Sequence, residues 1–101
     1  MYVIQILLPL SDNAGKPFAE ATLQAIHQEL TRRFGGLTAF TRAPAEGVWA
    51  HDGQHAKDDI VVVEVMTDEL DRAWWGAFRR RVEGELFQER LIVRAQPTEM
   101  L

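Results

Sequence analysis

Ile60-Val61-Val62-Val63 sets four β-branched side chains in succession, and Glu64-Val65 extends the run. Such side chains are stiff at χ1 and crowd a helical turn, whereas they pack well on a pleated surface. A run apolar at nearly every position suits a strand covered on both faces, which belongs inside a sheet and not at its edge. Any fold open to this chain must therefore supply this segment with neighbours on both sides.

The remaining elements can be placed around that strand. Tyr2 to Leu8 is apolar except at Gln5 and is ended by Pro9, so it forms a first strand rather than a secretory leader, which would need a basic start and a small-residue cleavage site. Ser11 to Lys16 has loop composition, and Pro17 suits the first turn of a helix, where its missing N–H is harmless. Leu23, Ile26, Leu30 and Phe34 then recur at helical spacing as one apolar stripe, and Gly35-Gly36 stops the helix. Leu37 to Arg42 alternates like a strand, Ala43-Pro44 interrupts it, and Val48-Trp49 resumes it before an Asp52-Gly53 turn. A second helix is predicted from an N-cap at Asp68, with Leu70, Trp74, Ala77, Phe78 and Val82 on its buried face and Gly84 at its end. Glu89 to Ala95 alternates as a last, outer strand that Pro97 closes.

The order strand, helix, strand, strand, helix, strand implies two right-handed crossovers joined by a hairpin. This is the α+β, ferredoxin-like βαββαβ arrangement, a four-stranded antiparallel sheet with two helices on one face. Its two central strands are the first and third, which are also the two most apolar in the chain. Residues 1–101 are the size of a single domain with one core.

Composition narrows the classes of function. Fifteen acidic against eleven basic residues leave a net charge of −4, which disfavours nucleic acid and anionic membranes as partners. Arg79-Arg80-Arg81 falls within a helix, where successive residues diverge by about 100° and cannot make one basic patch. No apolar run reaches the roughly 18 residues of a membrane span. The absence of cysteine excludes disulfides and thiolate chemistry and fits a cytoplasmic location.

Gly36-Leu37-Thr38, then Gly47-Val48-Trp49, the turn residue Gly53, the apolar strand Ile60 to Val65 and the late Phe87-Gln88-Glu89 form a pattern over most of the chain. It resembles a bacterial family of uncharacterised ferredoxin-like proteins. That resemblance implies the fold and brings no chemistry with it. The topology is also similar, more loosely, to the dimeric α/β-barrel proteins, which pair two such sheets around a ligand cavity.

Period two yields the sharpest candidate site. With Ile4, Ile6, Leu8, Val61, Val63 and Val65 under the helices, Val3, Gln5, Leu7, Ile60, Val62 and Glu64 turn to the other side of the sheet. Leu91 and Val93 join the core, leaving Arg90, Ile92 and Arg94 on that same open side. Gln5, Glu64 and Arg94 are thus expected as polar groups set into an apolar surface, the makings of a ligand site or a protein interface. In the blander alternative, Glu64 and Arg94 only pair across a packed dimer face.

His51 and His55, with Asp52, Asp58 and Asp59 nearby, raise a metal site. In a two-residue hairpin, however, His51 opposes Gln54 and His55 opposes Ala50, so the two imidazoles would not converge on one ion, and no metal is expected. His27 borders the helical stripe. Trp75 is placed at the rim of the second helix, where it could stack on Arg79 as a recognition spot, and Trp49 is expected to plug one end of the sheet. No nucleophile–base pair and no phosphate loop is apparent.

The function expected is a non-catalytic, homodimeric module that binds a small ligand or partner through the open sheet face, without cofactors. The alternatives are a cofactor-free enzyme of the dimeric α/β-barrel type, with Glu64 as general acid or base, and a purely structural assembly module.

Overall fold

Residues Tyr2–Pro9 form β1, in which every second side chain is buried, as period two requires. The computed structural model describes residues 1–35 and 60–101 in full and, between them, only the backbone of 38–42, 50–51 and 54–55. Ile60–Thr67 (β5) lies antiparallel to β1 on one side and Ile92–Pro97 (β6) on the other, so the fold is α+β with a three-stranded antiparallel sheet as its frame. The backbone of Thr38–Arg42 (β2) runs antiparallel along the far edge of β5. Ala50–His51 (β3) and Gln54–His55 (β4) pair as Ala50↔His55 and His51↔Gln54, the register expected of the hairpin. Trp49, Gly53 and most of the Gly36 to Trp49 pattern lie outside the described residues, as do the side chains of His51 and His55.

Two helices, Glu20–Phe34 (α1) and Arg72–Glu85 (α2), cover one face of the sheet. Ile26 and Leu30 from α1, and Trp75, Phe78 and Val82 from α2, share a single apolar cluster with Ile4, Ile6, Leu8, Val61, Val63 and Val65. The expected α1 stripe is present, with Leu23 and Phe34 packed at its margins, and Gly35 ends the helix in the left-handed conformation at φ 78°.

Both helices start later than their sequence signals imply. Pro17 does not open α1. It is bridged to Ser11 across a tight loop in which Asp12 Oδ1 accepts hydrogen bonds from the Ala14 and Lys16 amides, and the helix starts only at Glu20. Likewise Asp71, not Asp68, caps α2, accepting from the Trp74 amide at 3.0 Å. Along α2 it is Trp75 that enters the core, at 6% exposure, with Ala77 exposed and Trp74 half-buried. Trp75 is therefore no rim residue, and it does not stack on Arg79, which pairs with Glu83 at 3.1 Å. Phe34 stacks on Trp75 with centroids 5.1 Å apart and meets Trp74 edge-on, and the Arg33 guanidinium lies 4.4 Å above the Trp74 ring.

The three successive arginines of α2 diverge as helical geometry demands. Arg81 grips Glu29 of α1 with 2.6 Å bonds to both carboxylate oxygens, Arg79 holds Glu83, and Arg80 is exposed. The Glu29 hydrogen bond, aided by the negative charges of Glu29 and Glu85 and opposed by partial burial, raises the Arg81 pKa above its ordinary value.

The end of α2 supplies two local devices. Phe87 adopts φ 51° just beyond the C-cap residue Leu86, with the Gln88 amide bonded to the Glu83 carbonyl and the Phe87 amide to that of Gly84. That pattern is a Schellman motif whose left-handed position usually holds glycine. Phe87 is 80% exposed, so Phe87→Gly gives up little burial, and chemical denaturation should show a gain of roughly 0.5–1 kcal/mol as the left-handed strain is relieved. Glu83, only 13% exposed, accepts from the Leu91 amide at 2.8 Å and so ties the helix to the entry of β6. Glu83→Ala orphans that amide beside the buried Leu91 and should cost about 1–3 kcal/mol in a urea melt, whereas Glu83→Gln, which keeps an acceptor, should cost less. The last strand itself begins at Ile92, later than Glu89, because the Glu83 lock holds the preceding segment against the helix.

Candidate functional site on the helix-free sheet face

Two registers bring the three polar residues into line. Gln5 of β1 pairs with Glu64 of β5 and, on its other side, with Arg94 of β6. Because residues opposite one another across a ladder share a face, the three side chains form one row running across the strands. Gln5 is the hinge of that row: its Nε2 donates to Glu64 Oε1 at 2.7 Å, and its Oε1 accepts from Arg94 Nε at 2.7 Å. The amide uses one end for each neighbour and sits between the two charges, so within one chain Glu64 and Arg94 are joined through Gln5 and not directly.

The rows above and below are largely apolar. Val62, Leu7 and Ile92 lie in register on one side of the polar row, and Met66, Val3 and Gln96 on the other. Ile92 is 50% exposed, Met66 is exposed, and Val3 and Leu7 are partly so, whereas Val62 is buried at 3%. Neither helix reaches this side, since every helical core residue belongs to the cluster on the opposite face. Nor does the tail fold over it. The Thr98 amide continues the ladder by bonding to the Met1 carbonyl, and Met100 and Leu101 are exposed.

Each charged residue keeps unused hydrogen-bonding capacity. Among the described residues Arg94 spends only Nε, on Gln5, leaving both terminal nitrogens of its fork as donors, and Glu64 retains Oε2 as an acceptor. The row can thus hold an acceptor group at one end and a donor group at the other, about two strand spacings or 10 Å apart, over an apolar floor.

The other candidates add less. His27 lies at the border of the α1 stripe as expected, half-buried, with its Nε2 buried and unbonded beside a shallow groove lined by Gln24, Gln28, Thr31 and Arg32. Among the described residues no three His, Cys, Asp or Glu side chains gather as a metal would need, and no helix is long and apolar enough to cross a membrane.

No family model matches the chain, nor does the sequence of any curated protein. Among solved structures the chain is similar to a phage SAM lyase in complex with S-methyl-5'-thioadenosine, with a TM-score of 0.59 and 16% identity, over 94% of this chain and 79% of that one. At that identity the likeness is one of fold.

Proposed function

We propose that this chain is a ferredoxin-like domain, with β2 as the fourth strand of its sheet, that self-associates and binds a small, partly apolar ligand or a partner through the helix-free face. The observation that carries the reading is the bonded row Arg94–Gln5–Glu64 across three strands of an otherwise apolar surface. Polar groups fixed in direction within apolar surroundings orient what docks on them, while the apolar area supplies the affinity. Membership of the bacterial ferredoxin-like family and a cytoplasmic location accompany this proposal.

Static light scattering tests it at micromolar protein. The expected mass is about twice the 11.5 kDa of the chain, and Ile92→Asp, which sets a charge on the face while sparing the core, should return the mass of one chain and, at a dilution where the parent is also dissociated, melt as the parent does. A parent protein at 11.5 kDa would overturn self-association.

A second reading has Glu64 as general acid or base of a cofactor-free enzyme. It is favoured by Glu64 Oε2, which no described residue engages, on an apolar face and by a likeness of fold to an enzyme, the phage SAM lyase. S-adenosylmethionine is the first compound to try: turnover abolished by Glu64→Gln would decide for catalysis, and saturable binding without turnover for the binding module.

A further inference from the structure

We infer that the occupant of the helix-free face is a second copy of this chain, docked about a two-fold axis that runs along β1, so that Glu64 of each copy meets Arg94 of the other. This inference rests on the reading of that face as the binding surface and adds its partner and register. The argument is one of symmetry and charge. A two-fold that packs a sheet face on its own copy must lie in the plane between them, and the strands allow two simple directions.

If the axis runs across the strands, along the polar row, each residue of the row falls over itself: Glu64 opposes Glu64 and Arg94 opposes Arg94. Like charges would then be pressed together at both ends of an apolar contact. If the axis runs along β1, the row reverses. Glu64 and Arg94 stand one strand to either side of β1, so each carboxylate falls over the other copy's guanidinium and Gln5 over Gln5. The atoms that the described residues leave unused, Arg94 Nη1 and Nη2 and Glu64 Oε2, are those the second arrangement employs.

The flanking rows agree with it. Leu7 falls over Leu7 and Val3 over Val3, and Met66 meets Gln96. Aligned sheets pack about 10 Å apart with strands rotated by about 30°, which displaces groups one strand from the axis by only about 2–3 Å, within reach of Glu and Arg side chains.

Sedimentation equilibrium on four proteins tests the register: parent, Glu64→Arg, Arg94→Glu and the double exchange. Each single change puts like charges face to face and should raise the dimer dissociation constant by at least roughly tenfold. The double exchange restores both cross-pairs, and because Gln5 can turn its amide over to serve the exchanged neighbours, it should return to within about threefold of the parent. A dimer indifferent to the single changes, or a double exchange no tighter than the singles, overturns the register while leaving self-association intact. A monomeric parent overturns the underlying reading, and this one with it.

A readout without charge changes guards against a variant that fails to fold. The chain has no cysteine, so Leu7→Cys gives one thiol per copy. With the axis along β1 a short bis-maleimide should join two copies efficiently, whereas the crosswise axis sets Leu7 over Val3 and leaves the thiols apart. Failure to crosslink a dimer shown to persist in that variant overturns the proposed axis.

Discussion

Replacing Trp75 by alanine should lower the unfolding free energy by about 3–5 kcal/mol, a large share of the 5–15 kcal/mol typical of a small domain. The indole is buried between the helices, stacked on Phe34 and edge-on to Trp74 and Phe78, with ring centroids 4.8–5.4 Å away. Its loss opens a cavity that the other rings cannot fill while Phe34 and Phe78 are fixed by their own helices. Trp74→Ala should cost clearly less, because that ring is half-buried and trades its contact with Arg33 for water. Urea melts of the two variants measure the difference. Equal losses would mean that Trp74 carries as much of the core as Trp75.

The second large effect separates the two faces of the sheet. Ile6→Ala should cost about 2–5 kcal/mol, since Ile6 is fully buried in the centre of β1 opposite Val63 and Val93. Leu7, its neighbour, lies on the helix-free side, and Leu7→Ala should barely move the melt of the folded chain while weakening self-association. Melting at two protein concentrations distinguishes these outcomes, because only a defect of association depends on concentration. If Leu7→Ala is as damaging as Ile6→Ala at high dilution, the helix-free face is a second core and not a surface.

These expectations show which parts of the fold are legible in the sequence. The inner side of the sheet is, because burial on a strand alternates strictly and Ile4, Ile6 and Leu8 have no polar competitor. The meeting of Gln5, Glu64 and Arg94 follows from the same alternation once the strand order is assumed. What alternation cannot supply is the role of Gln5, since its bonds to both charges depend on exact pairing across two ladders. Helix starts are poorly legible for a different reason. Asp68 and Asp71 are equally good caps, and with Phe78 and Val82 fixed in the core, Trp74 stands four residues before Phe78 and Trp75 three, so both fit a helical stripe. The choice falls to tertiary contacts, among them the ion pair of Arg33 with Asp71 and the packing of Phe34. Pro17 likewise satisfies a helix start and an extended arm, and the Asp12 turn decides between them.

The position of β1 between β5 and β6 also bears on the timing of assembly. During synthesis this strand emerges well before its partners, since both of its hydrogen-bonding edges are claimed by segments made much later, β5 from Ile60 and β6 from Ile92. α1 can cover one face of the strand, but among the described residues no segment between β1 and β5 pairs with its edges in the interval. Contacts this distant in sequence slow folding, and an apolar strand with two unmet edges is a template for stray pairing with other chains. β1 therefore waits on β6, and nascent chains arrested before Val93 carry an exposed, adhesive edge that the finished sheet removes.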